Sequence, residues 1–178
     1  MSGVRVILRT MQRRTWLKLG LVSAAGLALV GGGLALRAPA WTPEGLSASG
    51  RAVFGAVAST VLDGSLPEDA AARQVAVDAW FKRLDDSIAA LPPHTQAELA
   101  QLLSVLASAP GRWALAGLGT DWPHASVAQV RAALQEMRHS RLALRQQAYL
   151  ALRELTCAAY FADPATWMAL GYSGPLDL

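Results

Sequence analysis

Apolar residues recur at helical spacing through most of the chain beyond residue 47, and no stretch alternates with a period of two. Phe54, Val57 and Val61 share one helical face, which predicts a first helix over residues 48–63. A second helix is predicted over residues 67–91, where two prolines follow. Its apolar stripe consists of Val77, Trp80, Phe81, Leu84, Ile88 and Leu91.

Capping signals predict the starts of two further helices. Thr95 with Glu98 and Ser126 with Gln129 match the capping box, in which two side chains satisfy backbone N–H groups of the first turn. The helix that follows Thr95 is expected to end at the Ala-Pro-Gly sequence of residues 109–111.

A last long helix is predicted over residues 142–161. From Ala148 onward its apolar residues lie on several sides, so we expect the other helices to pack around it. The preceding residues 139–140 are either a short break or part of a continuous helix. Together these patterns predict an all-α protein, with a single small domain of about five helices over residues 41–178.

Polar residues of the second helix fall opposite its apolar stripe. Asp85 and Asp86 are adjacent carboxylates, a pairing that metal sites and acid/base sites use. Because Asp78 and Lys82 share their face, the pattern instead predicts a solvated surface.

The first 40 residues follow a different pattern, in which a basic segment (residues 1–18) precedes an uncharged apolar run (residues 19–36) with five glycines. The basic segment ends in a motif formed by Arg13, Arg14, Trp16, Leu17 and Lys18. This arrangement resembles a twin-arginine export signal, which implies export of the folded chain to the periplasm by the twin-arginine translocase.

Ala38-Pro39-Ala40 offers a cleavage site before Trp41. We expect the signal peptide, residues 1–40, to be removed after Ala40. The alternative is an uncleaved leader that anchors the protein to the membrane, since 18 uncharged residues lie at the lower limit for a membrane span.

Charge separates the leader from the rest of the chain. Residues 1–40 hold six of the 16 cations and no acid, so residues 41–178 hold ten cations against 13 acids. A net charge of −3 gives no electrostatic basis for binding nucleic acid. The single cysteine, Cys157, excludes an intrachain disulfide.

Sequence motifs for cofactors and catalysis are missing. The chain contains no Cys-x-x-Cys-His, no Gly-x-Ser-x-Gly and no dinucleotide-binding fingerprint. Glu136 and His139 form a single Glu-x-x-His, whereas a helical di-iron site needs two copies. His94 and His124, like His139, fall on loops or helix ends and are expected at the surface. We therefore expect no cofactor, metal or catalytic site in this chain, and no enzyme activity of the chain alone.

Aromatic residues concentrate in two places. Trp113 and Trp122 lie within residues 112–123, a segment predicted to be a loop that folds back on the core or binds a partner. The C-terminal segment, residues 160–178, carries Tyr160, Phe161, Trp167 and Tyr172. Asp163 and Pro164 suit the start of a short helix that holds Trp167. This C-terminal segment either packs on its own domain or forms a docking surface.

The C-terminal sequence also supports a resemblance. Tyr160–Asp163, Trp167, Leu170-Gly171-Tyr172 and Gly174-Pro175 resemble the end of the gluconate 2-dehydrogenase subunit 3 family, which consists of small helical proteins with twin-arginine signals. The resemblance implies a large partner subunit of the glucose–methanol–choline oxidoreductase type that carries FAD, often with a cytochrome c subunit. It implies that this chain is a non-catalytic accessory subunit that supports export, folding and stability of the flavoprotein. The alternative is a membrane-anchored helical scaffold without a redox partner.

Overall fold

The computed structural model describes residues 39–168 together with residues 171 and 172. The helices in this range are α1 (Ala48–Val61), α2 (Ala70–Ala89), α3 (Pro93–Ala107), α4 (Ala109–Ala116), α5 (Val127–Arg138) and α6 (Ala143–Phe161). Two short antiparallel strands, β1 (Trp41–Thr42) and β2 (Gly45–Leu46), pair as a hairpin. Residues Trp122–His124 and Pro164–Thr166 form 3₁₀ turns. The predicted all-α fold is confirmed, with six helices where about five were expected.

Capping explains where several helices begin and end. The predicted box at α5 is confirmed: Gln129 N donates to Ser126 Oγ at 3.3 Å, and Ser126 N donates to Gln129 Oε1 at 2.9 Å. The predicted box at Thr95 is wrong, because α3 starts at Pro93 without a side-chain cap. Proline suits that position since an N–H there would lack a helical partner. His139 ends α5, so a break separates α5 from α6.

Residues 109–116 form the helix α4, where a helix end and a loop were predicted. Ser108 caps α4 by accepting a hydrogen bond from Gly111 N at 3.1 Å, and Pro110 lies in the first turn. Gly117 ends the helix in a left-handed conformation with a φ of 68°. The Ala-Pro-Gly sequence therefore starts a helix instead of ending one.

The core is built around α1 and α6, each of which contacts at least three other helices. Helix α6 contacts α1, α2, α4 and α5, while α1 contacts α3, α5 and α6. Phe54 on α1 and Leu84 on α2 are fully buried in this core. The buried stripe of α6 is Ala148, Leu152, Thr156, Ala159 and Tyr160. Helix α6 is central, as expected, because four other helices pack against it, although Leu150 is 40% exposed.

The Asp85-Asp86 pair divides between two environments. Asp86 is exposed, as predicted. The carboxylate of Asp85 instead accepts hydrogen bonds from Leu46 N at 2.8 Å and from Arg51 Nη2 at 2.9 Å. Asp85 therefore joins α2 to both β2 and α1, and its predicted solvated role is wrong because the N-terminal hairpin covers it.

Candidate functional site

The end of α6 and the turn after it expose a group of large apolar side chains. Phe161 is 37% exposed, Met168 73% and Tyr172 50%. The Trp167 ring is half-buried and lies 5.5 Å from the Tyr172 ring, centroid to centroid. We call these four residues, Phe161, Trp167, Met168 and Tyr172, the C-terminal aromatic surface.

Hydrogen bonds fix the backbone that carries this surface. Asp163 accepts a hydrogen bond from Ala165 N at 3.0 Å and caps the 3₁₀ turn, which confirms the predicted cap. Trp167 Nε1 donates to Phe161 O at 2.7 Å, and Tyr172 N donates to Trp167 O at 3.1 Å. The exposed rings are thus held in place by their own segment before any partner binds.

Helix α2 ties this turn to the domain. Arg83 Nη1 lies 3.2 Å from Asp163 Oδ2, and Arg83 Nε donates to Ala159 O at 2.9 Å. Both side chains of the ion pair are partly exposed, so its Coulomb energy is screened by water. Its main effect is geometric, since one guanidinium group holds both the end of α6 and the turn that follows.

Two of the predicted docking residues belong to the core. Trp122 is 3% exposed and its Nε1 donates to Leu106 O at 2.7 Å. Tyr160 is 8% exposed and its hydroxyl donates to Ser65 O at 2.6 Å. Burial raises the pKa of the Tyr160 hydroxyl, and nearby Asp163 adds to the rise. Neither ring offers a free face, so the docking prediction is corrected for Trp122 and Tyr160.

Trp113 is exposed but stands apart from the C-terminal aromatic surface. It lies on α4 with 70% of its surface exposed. Helix α4 meets the start of α6, where Arg145 Nε donates to Leu115 O at 2.6 Å. From Arg145 to Phe161, α6 rises about 24 Å. Trp113 and the C-terminal aromatic surface are therefore separate features, and their docking roles stay predictions.

Candidate metal-binding and nucleophilic residues are scattered. His94, His124 and His139 are all exposed, as predicted. Glu136 is also exposed, and its neighbour Met137 is buried. Across residues 39–168, 171 and 172, no group of three or more His, Cys, Asp or Glu side chains converges. Cys157 is half-buried, and this burial raises the pKa of its thiol.

Sequence reasoning missed two residues of the site. Met168 is the most exposed member of the C-terminal aromatic surface, and as a methionine it does not belong to the aromatic pattern of the segment. Arg83 was missed because its partner Asp163 is 80 positions away, and no sequence spacing connects the two. The adjacent Trp167 and Met168, just after a short turn capped by Asp163, are the sequence feature that could have indicated this exposed surface.

The predicted export motif, Arg13, Arg14, Trp16, Leu17 and Lys18, lies outside the described residues, as does most of the leader. Among the helices that the structure does describe, none has the length and apolar character to cross a membrane. Comparison of the chain with protein-family models, curated proteins and solved structures finds no match.

Proposed function

We propose that this chain is a non-catalytic accessory subunit of a periplasmic, FAD-dependent sugar or alcohol dehydrogenase of the glucose–methanol–choline type. It binds the large flavoprotein subunit in the cytoplasm, supports its folding and carries it through the twin-arginine translocase. The observation that carries the proposal is the C-terminal aromatic surface.

An exposed apolar surface on an ordered backbone suits a permanent partner. In the isolated chain, the apolar side chains of Met168 and Tyr172 are exposed to water. Burying such side chains in an interface contributes about 25 cal/mol of binding free energy per Å² of apolar area. The hydrogen bonds of Trp167 and Asp163 hold the segment in place, so a partner binds it without a large cost in conformational entropy. Aromatic and methionine side chains are enriched in the centres of protein interfaces.

The identity of the partner rests on the sequence. The twin-arginine motif at Arg13 and Arg14 favours a passenger that folds before export, and cofactor-loaded flavoproteins are such passengers. The resemblance of residues 160–175 to the gluconate 2-dehydrogenase subunit 3 family supplies the class of partner, with FAD in the large subunit. That resemblance also allows a cytochrome c subunit in the complex.

Co-purification from the native host tests the proposal. The full chain, with an affinity tag on a flexible linker after Leu178, is isolated from the periplasm and membranes in mild detergent. We expect a larger protein with about one equivalent of FAD per chain. A preparation that contains no flavin would contradict the proposal.

Matched variants locate the docking surface. Phe161→Ala and Tyr172→Ala are expected to reduce the bound flavin at least tenfold. Val75→Ala and Leu142→Ala remove apolar side chains that are 70% and 63% exposed elsewhere on the domain, so they serve as controls and should leave flavin binding unchanged. Equal losses in all four variants would indicate general instability.

A double substitution tests the export role. Arg13→Lys combined with Arg14→Lys keeps the charge but removes the two guanidinium groups of the motif. We expect the chain and the flavoprotein to remain together in the cytoplasm. Normal periplasmic flavoprotein in this variant would show that the chain does not direct its export.

A further inference from the structure

The bond predicted to be cut by signal peptidase, Ala40–Trp41, is buried in the folded domain. Ala40 has no exposed surface and Trp41 is 7% exposed. Ala40 N donates to Ser104 Oγ of α3 at 3.1 Å, and Ala40 O accepts from Ser47 N at 3.1 Å. The carbonyl of the scissile bond is therefore engaged within the fold.

The residues that follow this bond are fastened to two helices. Trp41 pairs with Leu46 in the β1–β2 hairpin. Asp85 on α2 accepts from Leu46 N at 2.8 Å, and Arg51 on α1 joins the same carboxylate at 2.9 Å. Arg51 Nε also donates to Leu46 O at 3.3 Å. To release the Ala40–Trp41 bond, the chain must break these contacts and expose the Trp41 ring.

A close approach between backbones holds Ala40 against the first turn of α1. A Cβ atom placed on Gly50 would lie 2.2 Å from Ala40 O and 2.8 Å from the Leu46 side chain. Only glycine permits this approach, because a side chain at residue 50 would push the Ala40 carbonyl away. Gly55, five residues further along α1, has no such contact, since a Cβ there meets only Phe81 at 3.8 Å.

We propose that the folded domain shields the Ala40–Trp41 bond from signal peptidase, so that the leader is retained and tethers the exported protein to the lipid bilayer. The inference rests on the folded export that the proposed function includes. A peptidase acts on a locally opened, extended chain, and its rate follows the population of that open form. A chain that crosses the membrane already folded presents this bond only through local unfolding.

The leader has the length and charge for such a tether. As a helix, the 18 uncharged residues 19–36 would span about 27 Å, close to the ~30 Å hydrocarbon core. The cations before this run, Arg13 and Arg14 among them, favour the cytoplasmic side. The four-residue step from Leu36 to the buried Ala40 spans at most about 14 Å, which would hold the domain against the periplasmic face.

The first test measures cleavage in vitro by purified signal peptidase acting on the full chain in detergent micelles. We expect the native chain to resist cleavage and the urea-denatured, diluted chain to be cut after Ala40. Gly50→Ala should be cut at least tenfold faster than the native chain, while Gly55→Ala should match the native chain. Cleavage of native and denatured chains at equal rates would overturn the inference, as would a denatured chain that is not cut after Ala40.

The second test determines the N-terminus of the exported protein by mass spectrometry. We expect the leader to be present and the protein to stay in the membrane fraction after a high-salt wash. A variant with an extra Ala-Pro-Ala and an eight-residue flexible spacer before Ala38 offers an exposed site and should be cut there. An exported wild-type chain that begins at Trp41 would overturn the inference. Failure to find a flavoprotein partner would contradict the proposed function alone, because neither test depends on flavin.

Discussion

Replacing Thr156 with valine is expected to stabilise the domain. Thr156 lies on α6 with no exposed surface, and its hydroxyl has no hydrogen-bond partner within the described residues. Its backbone carbonyl accepts a bond from Trp80 Nε1 at 3.1 Å, and this bond does not involve the side chain. Thr156→Val therefore removes an unpaired polar group from the core and keeps the shape and the neighbouring hydrogen bond.

The magnitude follows from the cost of a buried polar group without a partner, which is about 1–3 kcal/mol. Threonine and valine have similar helix propensities, so the backbone contribution nearly cancels. We expect the free energy of unfolding to rise by about 1–2 kcal/mol. In a domain of this size each 1 kcal/mol shifts the Tm by roughly 2–4 °C, so the Tm should rise by about 2–8 °C.

Thr60 provides the matched control. It lies on α1 with 9% exposure, and its Oγ1 donates to Ala56 O at 3.1 Å. Thr60→Val loses a satisfied hydrogen bond worth about 0.5–1.5 kcal/mol and gains a buried methyl group worth a similar amount, so little net change is expected. Urea and thermal unfolding, followed by circular dichroism, measure both variants. A Thr156→Val variant no more stable than wild type, or equal gains in both variants, would refute the reasoning.

Three further predictions use other contacts. Trp122→Phe should lower the free energy of unfolding, measured in urea, by about 1–3 kcal/mol more than Trp41→Phe does. The reason is that Trp122 Nε1 donates to the buried carbonyl of Leu106, whereas Trp41 Nε1 has no hydrogen-bond partner among the described residues. Asp85→Ala should cost about 1–2 kcal/mol, since it leaves a backbone N–H of the hairpin unpaired, and faster proteolysis near residue 40 should accompany the loss. Burial raises the pKa of the Cys157 thiol, so the rate of its alkylation by iodoacetamide should have a pH midpoint above the value of about 8.5 expected for a free cysteine. Unfolding the chain in urea should return this midpoint to about 8.5.

The parts of the fold that were predicted depend on contacts between residues close in sequence. The capping box of Ser126 and Gln129 and the stripe that contains Leu84 and Ile88 need only helical spacing, and both were confirmed. Helix α4 could not be predicted from Pro110, because proline is common just after a helix end as well as in a first turn. In the first turn proline loses no hydrogen bond, so the same residue is compatible with a start.

The parts that could not be predicted depend on partners far along the chain. Trp113 and Trp122 lie nine positions apart in the same predicted loop, yet the first is 70% exposed and the second 3%. What separates them is the position of Leu106, whose carbonyl accepts a hydrogen bond from the Trp122 indole. The different surroundings of Asp85 and Asp86 could not be predicted either, because they depend on the folded hairpin, whose Leu46 N donates to Asp85.

Helix α2 connects the two proposals through residues that are only two positions apart. Asp85 holds the hairpin next to the proposed tether, and Arg83 holds the turn that carries the C-terminal aromatic surface. Successive side chains of an α-helix are rotated by about 100° around its axis, so the side chains of Arg83 and Asp85 point in directions about 160° apart. The hairpin and the turn that carries the C-terminal aromatic surface are therefore fastened to nearly opposite sides of one helix. A large subunit bound at Tyr172 would then sit away from the bilayer, and the accessory subunit would act as a spacer between membrane and enzyme.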